Sequence, residues 1–207
     1  MAERRSAEHA LEIESRVVGE DWYGRELGAD DRFERVLFAD CDFTEVVDQG
    51  ATFDGCEFRN VRFNVSQHSD AAFTNCVFSG CTFFDASFTR CKMVGSVFDD
   101  CEWNLTRVDG GNWSFTELRG ADLRGAVFTG ARLREADLTG ARCAGATLRD
   151  LDLSGATFTR ADFTGCDLRG SDLTGLDPLA VQLARAIITV DQAITLAEAL
   201  RLDVRAE

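Results

Sequence analysis

Few residues in this chain could do chemistry, and two of them stand at a suggestive spacing. Asp48 and His68 are a carboxylate and an imidazole twenty residues apart. Those are the parts from which a general base and its orienting acid are built. The remaining stock is thin. His9 is the only other histidine, and no G-x-S-x-G, Walker loop or G-x-G-x-x-G is present to supply a nucleophile or a phosphate cradle. Eight cysteines are present, none in a C-x-x-C pair. The sequence offers the Asp48–His68 pair no third partner, so the expectation is a bulge or a hydrogen-bonded patch, no cofactor or metal, and no enzyme.

Both residues stand out because of the pattern they interrupt. From Phe33 to Leu173, every residue whose number ends in 3 or 8 is apolar except Asp48 and His68. Two positions earlier the residues are mostly Ala, Cys, Ser, Thr or Val. Two positions later stand most of the glycines, as in ADFTG, CDLRG and SDLTG across 161–175. A period of five fits neither a helix nor a flat strand. It fits a chain that turns after every block, with glycine where the turn needs φ > 0. Four such turns close a square coil of twenty residues. Coils then stack at about 4.8 Å, and the large and small residues of each block fill a narrow tube. The predicted fold is an all-β solenoid of about seven coils.

The coil also accounts for the cysteines. Cys41, Cys56, Cys76, Cys81, Cys91, Cys101 and Cys166 fall on the small inward position and Cys143 on the large one, so all are expected as core thiols. Residues twenty apart share a column, so Cys56 stacks with Cys76, Cys81 with Cys101, and Asp48 with His68.

Columns assign charge to faces. The net charge is −14, and two adjacent sides of the tube carry most of what lies in the repeat. Asp40, Asp42, Glu45, Asp85, Asp99, Asp100, Glu102, Asp122, Asp137 and Asp162 follow the edge between them, interrupted by Arg62, Arg124, Arg142 and Arg160. Such a rod repels nucleic acid and attracts a basic partner. There is no apolar run of membrane length and no apolar stretch of signal-peptide length near the start, so a cytoplasmic protein is expected.

Three segments are predicted. Residues 1–30 form an extension and an irregular first coil, in which Tyr23 is in phase while Trp22 and Leu27 are one residue out of phase; residues 1–18 are read as loose. Residues 31–175 form the solenoid, and 176–207 a helical C-terminal cap and dimerisation segment. In that last segment, Asp177 and Pro178 read as the start of a short helix to about 186. IITV (187–190) reads as a β segment, and Asp191 as the N-cap of a second helix to about Leu202. Ile187, Ile188, Val190, Ile194, Ala197 and Leu200 are more apolar surface than a small cap needs and are the predicted dimer interface.

The small–x–large–x–Gly period resembles the pentapeptide repeat family, whose fold is a right-handed quadrilateral β-helix. Three features are similar to its quinolone-resistance subgroup, the Qnr and MfpA-type proteins: the segment CKMVGSVF (91–98), the passage from Phe-rich to Leu/Ala-rich coils, and the terminal DPLAV…ITVDQAITLAEAL. The unbroken repeat is closest to the MfpA type. The resemblance implies a homodimeric DNA mimic that binds DNA gyrase or topoisomerase IV and protects it from fluoroquinolones or inhibits it. The alternatives are self-immunity against a gyrase-targeting antibiotic, or a scaffold for an unrelated partner.

Overall fold

Five-residue blocks turn one after another into a parallel β-solenoid in the computed structural model, which describes residues 11–205. The pairing register shows why. Phe53 pairs with Phe73, Phe58 with Phe78 and His68 with Phe88, all in parallel and twenty residues apart. A fourth column runs from Asp42 through Arg62, Thr82, Glu102, Asp122 and Arg142 to Asp162. Residues 31–175 make about seven turns, as the period predicts. The backbone hydrogen bonds run between coils: Arg62 N–H donates to Cys41 O of the coil before, and Phe63 N–H to Thr82 O of the coil after. Each coil therefore satisfies most of its backbone through its neighbours, with turns such as Ser66 N–H to Phe63 O closing within the coil.

Identical register stacks like on like. Phe38, Phe58, Phe78 and Phe98 lie ring over ring, with centroids 5.1, 4.8 and 4.7 Å apart. The strand spacing is itself close to an aromatic stacking distance. Where a small inward residue is polar, its hydroxyl donates to a backbone carbonyl, of the preceding coil or of its own turn. Ser96 Oγ donates to Phe73 O at 2.9 Å and Thr106 Oγ1 to Phe83 O at 2.8 Å. The corners lie at residues ending in 0 and 5, where the backbone takes positive φ: Gly55 at 58°, Asn60 at 53° and Gly80 at 63°.

The ladder continues beyond the repeat at both ends, and each end corrects an expectation. Ser15–Val18 is a strand paired with Val36–Ala39, so residues 15–18 are not loose; residues 1–10 lie outside the described part. Trp22 and Leu27 are the buried residues of the first coil, while Tyr23 is exposed. The offset arises from one extra residue in the corner after Gly28: Gly28 pairs 21 residues ahead with Gln49, but Arg32 pairs with Thr52. Asp31 closes that corner, donating its N–H to Gly28 O and accepting from Gly28 N–H through Oδ2.

At the other end the predicted helix at 178–186 does not form. Gln182 bridges to Asp162 and Ile187 to Asp167, so the chain adds another turn of solenoid. Val181, Leu183, Ala186 and Ile188 continue the inward phase and pack on the core. Stacking on the open last coil buries them where a lone short helix would not. Asp177 instead holds a turn, its Oδ1 accepting from Leu179 N–H. One helix follows, Val190–Ala199, capped by Thr189 rather than Asp191. Thr189 and Gln192 form a reciprocal capping box.

Candidate functional site

The Asp48–His68 column gains the third member that the sequence reading missed. His68 Nδ1 lies 3.0 Å from Asp48 Oδ2, and His68 Nε2 lies 3.1 Å from Ser66 Oγ. Ser, His and Asp in this order are the parts of a nucleophilic triad. The signal was available, because Ser66 holds the small inward position two residues before His68. Three observations assign the cluster to the core. All three residues are buried. Ser66 O–H donates to its own turn, to Phe63 O at 2.7 Å, and Asp48 Oδ1 accepts from Ala51 N–H at 2.8 Å. His68 stacks on Phe88 at 5.0 Å and meets Phe63 and Phe73 edge-on. With Ser66 donating to Phe63, Nε2 must carry a hydrogen, so the carboxylate and the ring share one remaining proton across their 3.0 Å contact. No substrate reaches a serine placed this way.

The cysteines lie as expected: all eight are unbridged, seven are buried and Cys101 is half-buried. Cys76 Sγ donates to Phe53 O and Cys81 Sγ to Phe58 O, the same bond to the preceding coil that Ser96 makes. Burial pushes the Cys91 and Cys166 thiols up to about 12, and those of Cys76, Cys101 and Cys143 higher than an ordinary thiol. Among the described residues no group of His, Cys, Asp or Glu is arranged to hold a metal ion, and no helix is long and apolar enough to cross a membrane.

The surface acids divide into two sets. Four of the ten singled out are tied to arginines. Asp42 Oδ2 receives Arg62 at 2.6 Å and Asp85 Oδ1 receives Arg107 at 2.7 Å. Asp122 takes Arg124 and Arg142, and Asp137 takes Arg119. Partial burial raises the Asp42 carboxyl, but hydrogen bonds from Arg62 and Thr44 outweigh it and hold it at about 2. The Arg124 hydrogen bond likewise lowers Asp122, and Thr164 lowers Asp162.

Asp40, Glu45, Asp99, Asp100, Glu102 and Asp162 have no cationic partner among the described residues. Asp100 turns a corner at φ 51°. Asp99 precedes it at the end of the strand Val97–Asp99, and Glu102 opens the next face in the column of Asp122. Three unneutralised carboxylates thus meet at one corner. Asp40 lies on the same edge, three coils away, and accepts from Asn60 Nδ2 at 3.0 Å.

Of the predicted interface residues, Ile187, Val190, Ile194 and Leu200 are exposed, whereas Ile188 packs on the core and Ala197 is half-buried. Gln192, which sequence reasoning overlooked, closes the solenoid. Its Nε2 donates to Leu168 O and Ser171 O, both at 2.7 Å. In inner coils a carbonyl such as Ala161 O accepts from the backbone N–H 21 residues ahead, that of Gln182. At the last coil, the residue 21 ahead of Ser171 supplies a side-chain amide instead.

The family of pentapeptide repeats matches this chain in 8 copies over residues 69–101, 104–142 and 136–175. Among solved structures, full-length QnrB1, a plasmid-mediated fluoroquinolone resistance protein, is similar at 26% identity over 89% of this chain and 99% of its own, with a TM-score of 0.39. HetL, a pentapeptide repeat protein involved in heterocyst differentiation regulation from the cyanobacterium Nostoc, is similar at 17% identity over 89% of this chain and 92% of its own, also with a TM-score of 0.39. The chain has no match among curated proteins.

Proposed function

The chain belongs to the pentapeptide repeat family, and we propose that it acts by binding rather than by catalysis, as a DNA-mimicking rod that docks on DNA gyrase or topoisomerase IV and protects it from fluoroquinolones or inhibits it. The observation that carries this reading is the corner of unneutralised acids Asp99, Asp100 and Glu102, continued by Asp40 on the same edge. A stack whose coils are laced together by backbone hydrogen bonds loses little freedom on binding. Carboxylates without cationic partners steer it toward a basic, DNA-binding surface. The mimicry is partial, since duplex DNA carries a charge every ~1.7 Å and this edge is far sparser. The resemblance of CKMVGSVF and of the C-terminal segment to the quinolone-resistance subgroup points to the same partner.

The same reading makes the protein a cytoplasmic homodimer joined through the exposed Ile187, Val190, Ile194 and Leu200. Two rods of ~35 Å, end to end at ~4.8 Å per coil, approximate ~20 base pairs of duplex at 3.4 Å each. The test is a supercoiling assay with purified gyrase and topoisomerase IV, with and without ciprofloxacin. Protection, inhibition or both is expected. An absence of effect on either enzyme rules the reading out.

A further inference from the structure

One corner of the solenoid carries aliphatic side chains at two of its turns. Glu45, Val65, Asp85 and Leu105 occupy it in four successive coils, with φ of 59°, 59°, 53° and 59°. Elsewhere such corners are mostly Gly, Asn, Asp or Arg, and Val65 is the only β-branched residue among the described residues with positive φ. A β-branched side chain is the type least suited to the left-handed region, where Cβ crowds the following carbonyl. The strain protects no core, because Val65 and Leu105 are 37% and 45% exposed. Phe84 lies beside them, also 45% exposed, and its carbonyl accepts from Val65 N–H at 2.8 Å. Tyr23 continues the stripe one coil earlier, next to Glu45.

The corner therefore alternates acid and aliphatic side chain at about 4.8 Å per step. Phe115 is an exposed apolar residue at a similar turn on another corner, but here Val65, Phe84 and Leu105 fall together, and adjacent exposed apolar side chains at and beside strained turns point to use by a partner. The acids select the kind of partner. Glu45 has no cationic partner among the described residues, Glu102 stands two residues before Asn104 on the adjoining face, and Asp85 holds only the exposed Arg107. A nucleic acid is repelled here and has no use for the aliphatic steps. A folded protein surface with cationic groups around apolar clefts is matched by both.

We infer that the corner Glu45–Val65–Asp85–Leu105, together with Phe84, is the side of the rod that meets the topoisomerase. Val65, Phe84 and Leu105 enter apolar clefts, and Glu45 and Asp85 meet the lysines or arginines between them. The inference rests on the function proposed above and adds that recognition is part apolar.

The test replaces the apolar side chains with residues that suit the backbone. Val65→Asn and Leu105→Asn follow Asn60 and Asn75, which take the same conformation at φ 53° and 52°. Phe84→Thr follows Thr44, two coils earlier on the same face. Each variant is made singly and in combination in the full chain. Binding to purified gyrase is measured beside thermal unfolding. Phe115→Asn serves as control: it is likewise exposed at a positive-φ corner (φ 61°), but on another edge. The expected result is an unchanged or raised Tm with at least tenfold weaker binding for the combined variant, residual weakening for each single variant, and wild-type binding for Phe115→Asn. Wild-type affinity in the combined variant overturns the inference and leaves the gyrase reading standing. Equal weakening by Phe115→Asn also overturns it. If the wild-type protein binds neither gyrase nor topoisomerase IV, the functional reading falls and this inference falls with it.

Discussion

Asp48 Oδ2 lies 3.0 Å from His68 Nδ1, one coil apart and closed to solvent on every side. Removing one partner of such a pair leaves a buried charge or polar group uncompensated. Replacing both with apolar groups of similar shape is often neutral or stabilising. The column supplies the shapes, with Leu27 before Asp48 and Phe88 after His68. His68→Phe alone should cost about 3–5 kcal/mol. Asp48→Leu with His68→Phe should recover much of that loss but not all of it, because the buried Ala51 N–H, which donates to Asp48 Oδ1, is left without its acceptor. Urea unfolding of both variants measures this, and a double variant no more stable than the single one would show that the pair holds the coil together.

That pair also shows how far the sequence was legible. The period of five fixed which side chains face inward, and the period of twenty fixed which ones stack. Ser66 could have been read as the third partner from the same arithmetic. So could the final coil, since Leu183 and Ile188 keep the phase; Asp177–Pro178 suggested a helix because both are favoured at helix starts and in turns alike. The one-residue offset that turns Trp22 and Leu27 inward was visible only as a clash of phases, because its cause is a corner closed by Asp31. What the columns could not show was which acids are neutralised. Arg62 meets Asp42 within a column, but Arg119 reaches Asp137 and Arg107 reaches Asp85 across the diagonal. Those choices depend on side-chain rotamers rather than on register.

Asp42 gives the acid limb of stability a defined window. Its carboxyl lies at about 2 in the folded protein against an ordinary 3.8. A depressed carboxyl contributes stability above its unfolded value and loses it as pH falls through the folded one. Arg62→Ala should therefore be less stable than wild type at neutral pH, by under about 1 kcal/mol because the arginine is largely exposed. The gap should close between about pH 4 and pH 2. Thermal unfolding of both proteins across that range tests it; a gap that persists at pH 2 assigns the loss to packing of the Arg62 side chain.

The thiols should be silent in the native state. Burial keeps Cys91 and Cys166 at about 12, and reaction requires both the thiolate and access. Ellman titration at neutral pH should find at most the half-buried Cys101 reacting quickly, and all eight after denaturation. Rapid native labelling of several cysteines would mean that the coils open far more readily than their shared hydrogen bonds imply.

The C-terminal end separates a cap from a dimer interface. Gln192 and Leu196 face the tube, while Ile194 and Leu200 face out. Ile194→Glu with Leu200→Glu leaves the capping contacts in place and puts two charges on the outward surface. The double variant should be monomeric by light scattering, with its unfolding little changed. A persistent dimer would place the contact elsewhere and leave the helix as a cap alone.

Charge reversal at the acidic corner tests the electrostatic half of the proposed function. Asp99, Asp100 and Glu102 belong to no ion pair among the described residues, so their replacement by lysine breaks no salt bridge and should leave the fold intact. Coulombic attraction between exposed charges is screened over about 10 Å at 0.1 M salt and reaches farther below it. The triple variant should therefore bind gyrase more weakly than wild type, with the difference widening as salt is lowered. The loss should appear mainly as slower association, since steering acts before contact. The same substitutions in the Asp42–Arg62 pair should matter less, because that carboxylate is already neutralised. A triple variant with wild-type association kinetics at low salt would move the basic partner's contact off this corner, and would leave the acids as surface charge that aids solubility.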